Sequence, residues 1–267
     1  MTAHILIVTT SHNSMGNGRI TGVWAEELAV PYYAFLDAGH TVTLASIKGG
    51  PIPFDPRSVN GEEPKPDGVT RFLADRAAMQ AVQTTPAIAQ VDIATVDAIF
   101  LPGGHGSMWD LPASRALAER IATLDSQGRV VAAVCHGAAG LLAARRRDGV
   151  PLVAGRKVNG FTNAEEEKVG LAKTVPFLLE DRLRALGGDF VAGPDFQPHA
   201  VQDGNLITGQ NPASAQMLAQ RVLAALEGFN THAAERATTA PRRQSVARSN
   251  VGSMVNSSCG VSTPRSA

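Results

Sequence analysis

Val131-Ala132-Ala133-Val134-Cys135-His136-Gly137 is an apolar run that stops abruptly at a cysteine and a histidine. Four small or β-branched residues in a row read as a buried strand. Gly137-Ala138-Ala139-Gly140-Leu141-Leu142-Ala143-Ala144 then reads as the first turns of a helix. A cysteine between a core strand and a helix occupies a sharp turn, with its sulfur pushed into a crevice. The positive end of the helix dipole beside it favours thiolate over thiol. The imidazole of His136 can supply or remove a proton. An inert core cysteine is the competing reading; the neighbouring histidine, Gly137 and the strand-turn-helix context favour an activated nucleophile.

Outward from this point, strands and helices alternate. His4 to Thr9 is a first short strand, followed by a polar loop from Ser11 to Arg19. A helix over 23–38 carries Trp24, Leu28, Tyr32 and Phe35 on one stripe and stops at Gly39. Thr41 to Ala45 is the second strand. Residues 48–70 hold five prolines and read as a long functional loop. Phe72 to Ala89 reads as helical, Ala98 to Pro102 as the third strand, Arg115 to Gln127 as a helix and Val130 to Val134 as the fourth strand. Lys157 to Phe161 reads as a fifth strand, Leu178 to Leu186 as a helix, Phe190 to Ala192 and Leu206 to Thr208 as further strands, and Pro212 to Leu226 as a last helix with proline at its start. This alternation predicts an α/β fold with a mostly parallel central sheet covered by helices on both faces. Sites in such sheets lie at the carboxyl ends of the strands, so the loops at Ser11, Gly103, Cys135 and Thr162 should converge.

Composition separates two regions: a folded domain over 1–228 and an Arg/Ser/Thr-rich tail over 229–267, expected to be disordered. The tail holds Arg236, Arg242, Arg243, Arg248 and Arg265 against Glu235, so it is basic and the body mildly acidic within a chain of zero net charge. An acidic body argues against a nucleic-acid partner. No run is apolar and long enough to span a membrane, and no N-terminal signal core is present. Cys135 and Cys259 lie in different regions, so a structural disulfide is not expected, and the compartment reads as a reducing cytoplasm.

Gly103-Gly104-His105-Gly106 follows a strand. It is either a flexible turn or a place where an amide near Gly104 donates to a developing oxyanion, with the His136 amide as second donor. It lacks the ending of a phosphate loop, and nothing in the spacing supports His105 as a metal ligand. Glu27 lies on the apolar side of its helix beside Trp24 and Leu28. A carboxyl pushed toward the core is costly unless protonated or paired; protonated it can hydrogen-bond the sulfur, and ionised it can act as a base. Glu165-Glu166-Glu167 is either an acidic helix start or the source of an acid that orients His136; the spacing does not choose among the three.

Taken together, Thr21-Gly22-Val23-Trp24-Ala25-Glu26-Glu27, Pro102-Gly103-Gly104-His105-Gly106-Ser107-Met108-Trp109-Asp110, Ala133-Val134-Cys135-His136-Gly137, Gly160-Phe161-Thr162 and Thr208-Gly209-Gln210-Asn211-Pro212-Ala213-Ser214-Ala215 resemble the class I glutamine amidotransferase-like superfamily. The branch is that of PfpI-type proteases, deglycases and glyoxalase III chaperones, and the likeness runs from about residue 3 to 228. It implies a flavodoxin-like sandwich. It also implies Cys135 as nucleophile, His136 as its partner, Glu166 as the third member of a triad, and Glu27 as a glutamate beside the thiol. The implied activity is conversion of small 2-oxoaldehydes, methylglyoxal first, to lactate without glutathione, cofactor or metal, by a homodimer. A cysteine peptidase, a protein deglycase or a redox-responsive holdase are the alternatives. The chain departs from the family at Ala138, where many relatives have proline, and at Val30, where some have histidine. The second change is expected to alter the pocket wall.

Overall fold

Both faces of the apolar strands are covered, as a near-continuous apolar run requires. Along β1 (His4–Thr9), Ile5 and Ile7 face one half of the core, while Leu6 and Val8 face the other. The computed structural model of the chain describes residues 2–16, 18–60 and 65–239, with side chains up to residue 228. After β1 come a hairpin of β2 (Ser14–Gly16) and β3 (Arg19–Ile20), then α1 (Ala25–Asp37), β4 (Thr41–Ser46), α2 (Pro56–Val59), α3 (Asp67–Ala74) and α4 (Arg76–Gln83). The second half holds β5 (Ala98–Leu101), α5 (Ser107–Asp110), α6 (Arg115–Ser126), β6 (Val130–Val134), β7 (Lys157–Val158) and α7 (Asn163–Lys168). It closes with α8 (Leu179–Ala185), β8 (Asp189–Phe190), β9 (Ala200–Asp203), β10 (Leu206–Gly209) and α9 (Ala215–Thr239).

Six strands form the central sheet in the order β4-β1-β5-β6-β10-β9. All neighbours are parallel except β9, which runs antiparallel to β10 at the edge. Helices α1, α3, α4 and α9 cover one face through Leu28, Phe35, Phe72, Val82, Leu218 and Val222. Helices α5, α6 and α8 cover the other through Met108, Leu117, Ile121 and Leu183. The expected flavodoxin-like sandwich is therefore the observed one.

Several boundaries differ. The expected helix over 72–89 is two helices, because Asp75 takes an extended backbone and caps α4 by accepting from the Ala77 and Ala78 amides at 2.8 and 3.1 Å. The expected fifth strand pairs only over Lys157–Val158, and with β8 rather than with the central sheet. It leaves pairing where the Asn159 amide donates to Thr208 Oγ1 at 2.8 Å, and the chain then carries Phe161 toward Cys135. The residues after Cys135 form a tight 3₁₀ segment, Cys135–Leu141, in place of an α-helix. Helix α9 runs beyond Leu226 to Thr239. Residues 240–267, Cys259 among them, lie outside the described residues, and with them most of the expected tail. Among the described residues no helix is long and apolar enough to cross a membrane.

Candidate active site

Strand β6 delivers Cys135 into a turn with φ of 56°, a left-handed conformation that costs a non-glycine residue about 1–2 kcal/mol. The turn fits because its neighbours lack side chains. A Cβ on Gly137 would stand 2.1 Å from the Leu101 carbonyl oxygen. Gly104, at φ of 99°, lies so close to the Gly22–Trp24 backbone that a Cβ would meet the Gly22 oxygen at 2.3 Å. The β5 and β6 loops are thereby pressed together, and the Trp24 amide donates to the Gly103 carbonyl at 3.0 Å. Asp110 ties in the β1 loop, accepting from Thr10 Oγ1 and the Ser11 amide, each at 2.7 Å. All four loops expected to converge do so.

Behind the cysteine runs a line of hydrogen bonds. Cys135 Sγ lies 3.2 Å from His136 Nδ1, and His136 Nε2 lies 2.7 Å from Glu166 Oε2. The other carboxylate oxygen, Oε1, lies 2.8 Å from His105 Nε2. Thr162 caps α7 by accepting from the Glu165 amide at 3.1 Å, which aims Glu166 at both rings. Burial opposes ionisation of Glu166, but hydrogen bonds from His105 and His136 outweigh it and hold its pKa at about 2. Burial, then the neighbouring His136, holds the His105 pKa down to about 4. His136 lies between His105 and Phe161 with its ring tilted against both, ring centroids at 4.1 and 4.6 Å.

Glu27, the second expected carboxyl, projects from α1 and is fully buried. Its Oε2 accepts from the Gly103 amide at 2.7 Å. Oε1 has no hydrogen-bond partner, and the carboxyl lies on the same cavity as the Cys135 thiol, close enough for the two to influence each other. Burial pushes the Glu27 pKa up to about 8, the thiol and Gly103 contacts only partly opposing it. Cys135 as a whole is 3 % exposed. Burial, then the charge of Glu27, pushes its pKa well above the ordinary range, although the His136 amide donates to the sulfur and pulls the other way. This corrects the expectation that a helix dipole holds a thiolate: desolvation and a facing carboxyl outweigh the backbone.

A cavity of about 150 Å³ opens onto the sulfur. Trp24, Phe161, Val169, Phe196 and Pro212 form its apolar wall, and Gly104, His105 and Arg57 its polar one. Among the described residues the Gly104 amide takes no acceptor, which leaves it available to an oxyanion. Val30 does not line the cavity; it packs against Gly68 of α3, so the expected change to the pocket wall does not occur there. The His105, His136 and Glu166 ligand atoms lie within 4.8 Å of one another, a spacing that can hold a metal ion. Both carboxylate oxygens are already accepting from ring nitrogens, which accounts for the spacing by hydrogen bonding.

Of the three consecutive glutamates, Glu166 meets His136 and Glu167 is exposed. Glu165 is fully buried and accepts from five donors: the Thr162 amide and hydroxyl, the Phe196 amide, Gln210 Nε2 and Asn211 Nδ2, at 2.8–3.2 Å. It anchors the cavity-mouth residue Phe196, which holds φ of 57°. Glu165→Ala leaves those donors buried without an acceptor and is expected to destabilise the fold by about 3 kcal/mol or more. The urea midpoint measures this. Sequence reading missed Asp55 and Arg57. Asp55-Pro56 carries a helix-start signal, with Asp55 accepting from the Arg57 amide at 3.0 Å, but nothing in the sequence aims Arg57 at the site.

A parallel sandwich that presents a cysteine on a strained turn, with an imidazole and a carboxylate in line behind it, defines a class: flavodoxin-like α/β proteins built around an elbow cysteine. This chain belongs to the DJ-1/PfpI family, whose sequence pattern matches residues 20–225. It is 31% identical over 240 residues to the glutathione-independent glyoxalase HSP31 of Saccharomyces cerevisiae, covering 84% of this chain and 98% of that protein. The crystal structure of glyoxalase III from Candida albicans matches with a TM-score of 0.77 at 28% identity, over 84% of this chain and 97% of that one. The Rapid Encystment Protein of 24 kDa from Francisella tularensis matches with a TM-score of 0.80 at 36% identity, over 84% and 99%. The protein/nucleic acid deglycase HchA of Pseudomonas aeruginosa is 26% identical over 216 residues, 76% of this chain and 73% of that protein. The family contains enzymes.

Proposed function

We propose that the protein is a glutathione-independent glyoxalase that converts methylglyoxal and related small 2-oxoaldehydes to 2-hydroxy acids, with Cys135 as nucleophile, His136 and Glu27 moving protons, and Glu166 orienting His136. The observation that carries this reading is the fully buried Glu27 carboxyl on the same cavity as the Cys135 thiol, its pKa pushed up by burial to about 8. Acyl transfer needs one base beside the nucleophile. Moving hydrogen from one carbon to the next needs a second group that gives and takes a proton near neutral pH.

The steps balance with these groups. As Sγ bonds to the aldehyde carbon, the thiol proton passes to His136 Nδ1. The aldehyde oxygen, held by the Gly104 amide, takes the proton of Glu27. The hemithioacetal is neutral, Glu27 is now ionised, and the imidazolium faces ionised Glu166. Glu27 removes the hydrogen on the former aldehyde carbon. The electron pair moves to the adjacent ketone, whose oxygen takes the His136 proton, giving an enediol. Glu27 returns its proton to the second carbon while the hydroxyl on the first carbon gives its proton to His136, and a thioester remains. Water cleaves it to the 2-hydroxy acid and the thiol, the acid leaves as lactate with its proton lost to solvent, and His136 passes its proton to Glu27, which restores both groups. The chain supplies its own thiol, which is the role glutathione has in a two-component system. A homodimer in the cytoplasm belongs to the same proposal.

Chelator-treated protein incubated with methylglyoxal and no glutathione is expected to form one lactate per methylglyoxal lost. No lactate, or lactate formed equally by Cys135→Ala, overturns the proposal. Removal of methylglyoxal from preformed amine adducts, faster than from the free aldehyde, would point to deglycase action instead.

A further inference from the structure

Arg57 reaches the polar wall of the cavity from an element that carries none of the reacting groups. It lies on α2, in the proline-rich loop between β4 and α3. Its Nε and Nη2 grip buried Asp55 at 2.9 and 2.8 Å, and Asp55 is held in turn by the Thr21 hydroxyl at 3.0 Å. The same Nη2 lies 3.2 Å from His105 Nδ1. A guanidinium only donates, so this contact requires a lone pair on Nδ1. The ring proton of His105 must then be on Nε2, where it donates to Glu166 Oε1.

Glu166 thus faces two imidazoles but can balance the charge of only one. Were His105 to become an imidazolium, the carboxylate charge would be spent on it. A second positive ring 4.1 Å away at His136 would then be opposed by like charge. His136 takes the thiol proton only if His105 stays neutral. We propose that Arg57 is a positioning residue that keeps His105 neutral by occupying Nδ1, and so reserves the charge of Glu166 for His136. The groups facing His105 are Arg57 on α2, His136 on the 3₁₀ segment and Glu166 on α7; Asp55 fixes Arg57 from behind. Burial is the largest cause that disfavours the charged ring, followed by the neighbouring His136; Arg57 adds to them a donor and a positive charge at the one open nitrogen.

This rests on His136 as proton acceptor, yet it is testable without turnover. The probes are the pH titration of the His105 ring by NMR and the pH dependence of Cys135 alkylation by iodoacetamide, in the full chain. In the wild type, His105 is expected not to titrate between pH 5.5 and 8. In Arg57→Met the His105 midpoint is expected to move up from its wild-type value, and the acidic limb of alkylation to move up with it, with the alkaline plateau kept. Arg57→Lys, which retains a charged donor, is expected to restore both, and adding His105→Gln to Arg57→Met is expected to abolish the shift, since no second ring can charge. Arg57→Gln, which keeps a polar head beside Asp55, serves if the methionine variant does not fold, with a smaller shift in the same direction. An unchanged His105 titration in the neutral Arg57 variant, or a limb shift that survives His105→Gln, overturns the proposal. Failure of methylglyoxal turnover alone leaves these readouts intact and bears only on the glyoxalase reading.

Discussion

Cys135→Ala and Cys135→Gly are both expected to lose lactate formation by about 10⁴-fold or more, and to differ from each other in stability. Loss of activity follows from removing the atom that bonds to the substrate; the remaining acids and amides have nothing to act through. The stability difference follows from the backbone. Residue 135 sits at φ of 56°, where alanine keeps the left-handed strain and glycine does not. Cys135→Gly is therefore expected to exceed Cys135→Ala by about 1 kcal/mol in urea unfolding. Equal midpoints would mean that the turn is not strained, and residual turnover above about one per cent would mean that the sulfur is not the nucleophile. The strain itself has a use. It pushes Sγ out of the strand register and toward the cavity bounded by Trp24, Phe161 and Phe196.

The fold was legible because its strands are buried on both sides. Runs such as residues 5–8 and Val130–Val134 have no polar face, and only a doubly covered parallel sheet hides both sides. Boundaries set by single polar contacts were not legible. Asp75 splits a helical stretch by capping it, and Asn159 ends strand pairing through a hydroxyl 49 residues away. The site divides the same way. Cys135, His136 and Gly104 are neighbours of their own strand ends, so local sequence exposes them. Glu27 and Glu166 come to the site from α1 and α7; helix placement offered Glu27 and the Glu165–Glu167 run only as candidates, and the family resemblance is what assigned the two. The state of the thiol was misread for a physical reason: a helix dipole is visible in sequence, whereas full burial against a carboxyl from another helix is not. Arg57 was out of reach altogether, since its role exists only through His105 and Asp55.

Glu27→Gln is expected to separate three quantities that a merely structural glutamate would move together. Glutamine can still accept from the Gly103 amide and fill the same space, but it neither gives nor takes a proton, so turnover is expected to fall by about 10²–10⁴-fold. The charge of Glu27 is one of the causes that raise the thiol pKa, so alkylation of Cys135 near pH 8 is expected to be unchanged or faster. A faster-reacting sulfur in a slower enzyme is the signature of a lost proton carrier. Stability adds the sign. The folded pKa of Glu27, about 8, lies above its ordinary value of 4.5, so the native state binds a proton that the unfolded chain releases across that interval. The contribution of wild-type Glu27 is therefore fully present below pH 4.5 and is lost as pH rises through 8. Glutamine has no such term. The stability of Glu27→Gln relative to wild type is thus expected to rise between pH 5 and 8, by an amount on the order of 4 kcal/mol. Glu166 does not confuse the window, because its folded pKa of about 2 is depressed; its contribution is present above pH 4.5 and fades only as pH falls toward 2. Urea midpoints of the two proteins at pH 5, 6.5 and 8 read the effect directly. A constant difference across the three would place the Glu27 carboxyl in water, with an ordinary pKa and no proton to lend to the chemistry.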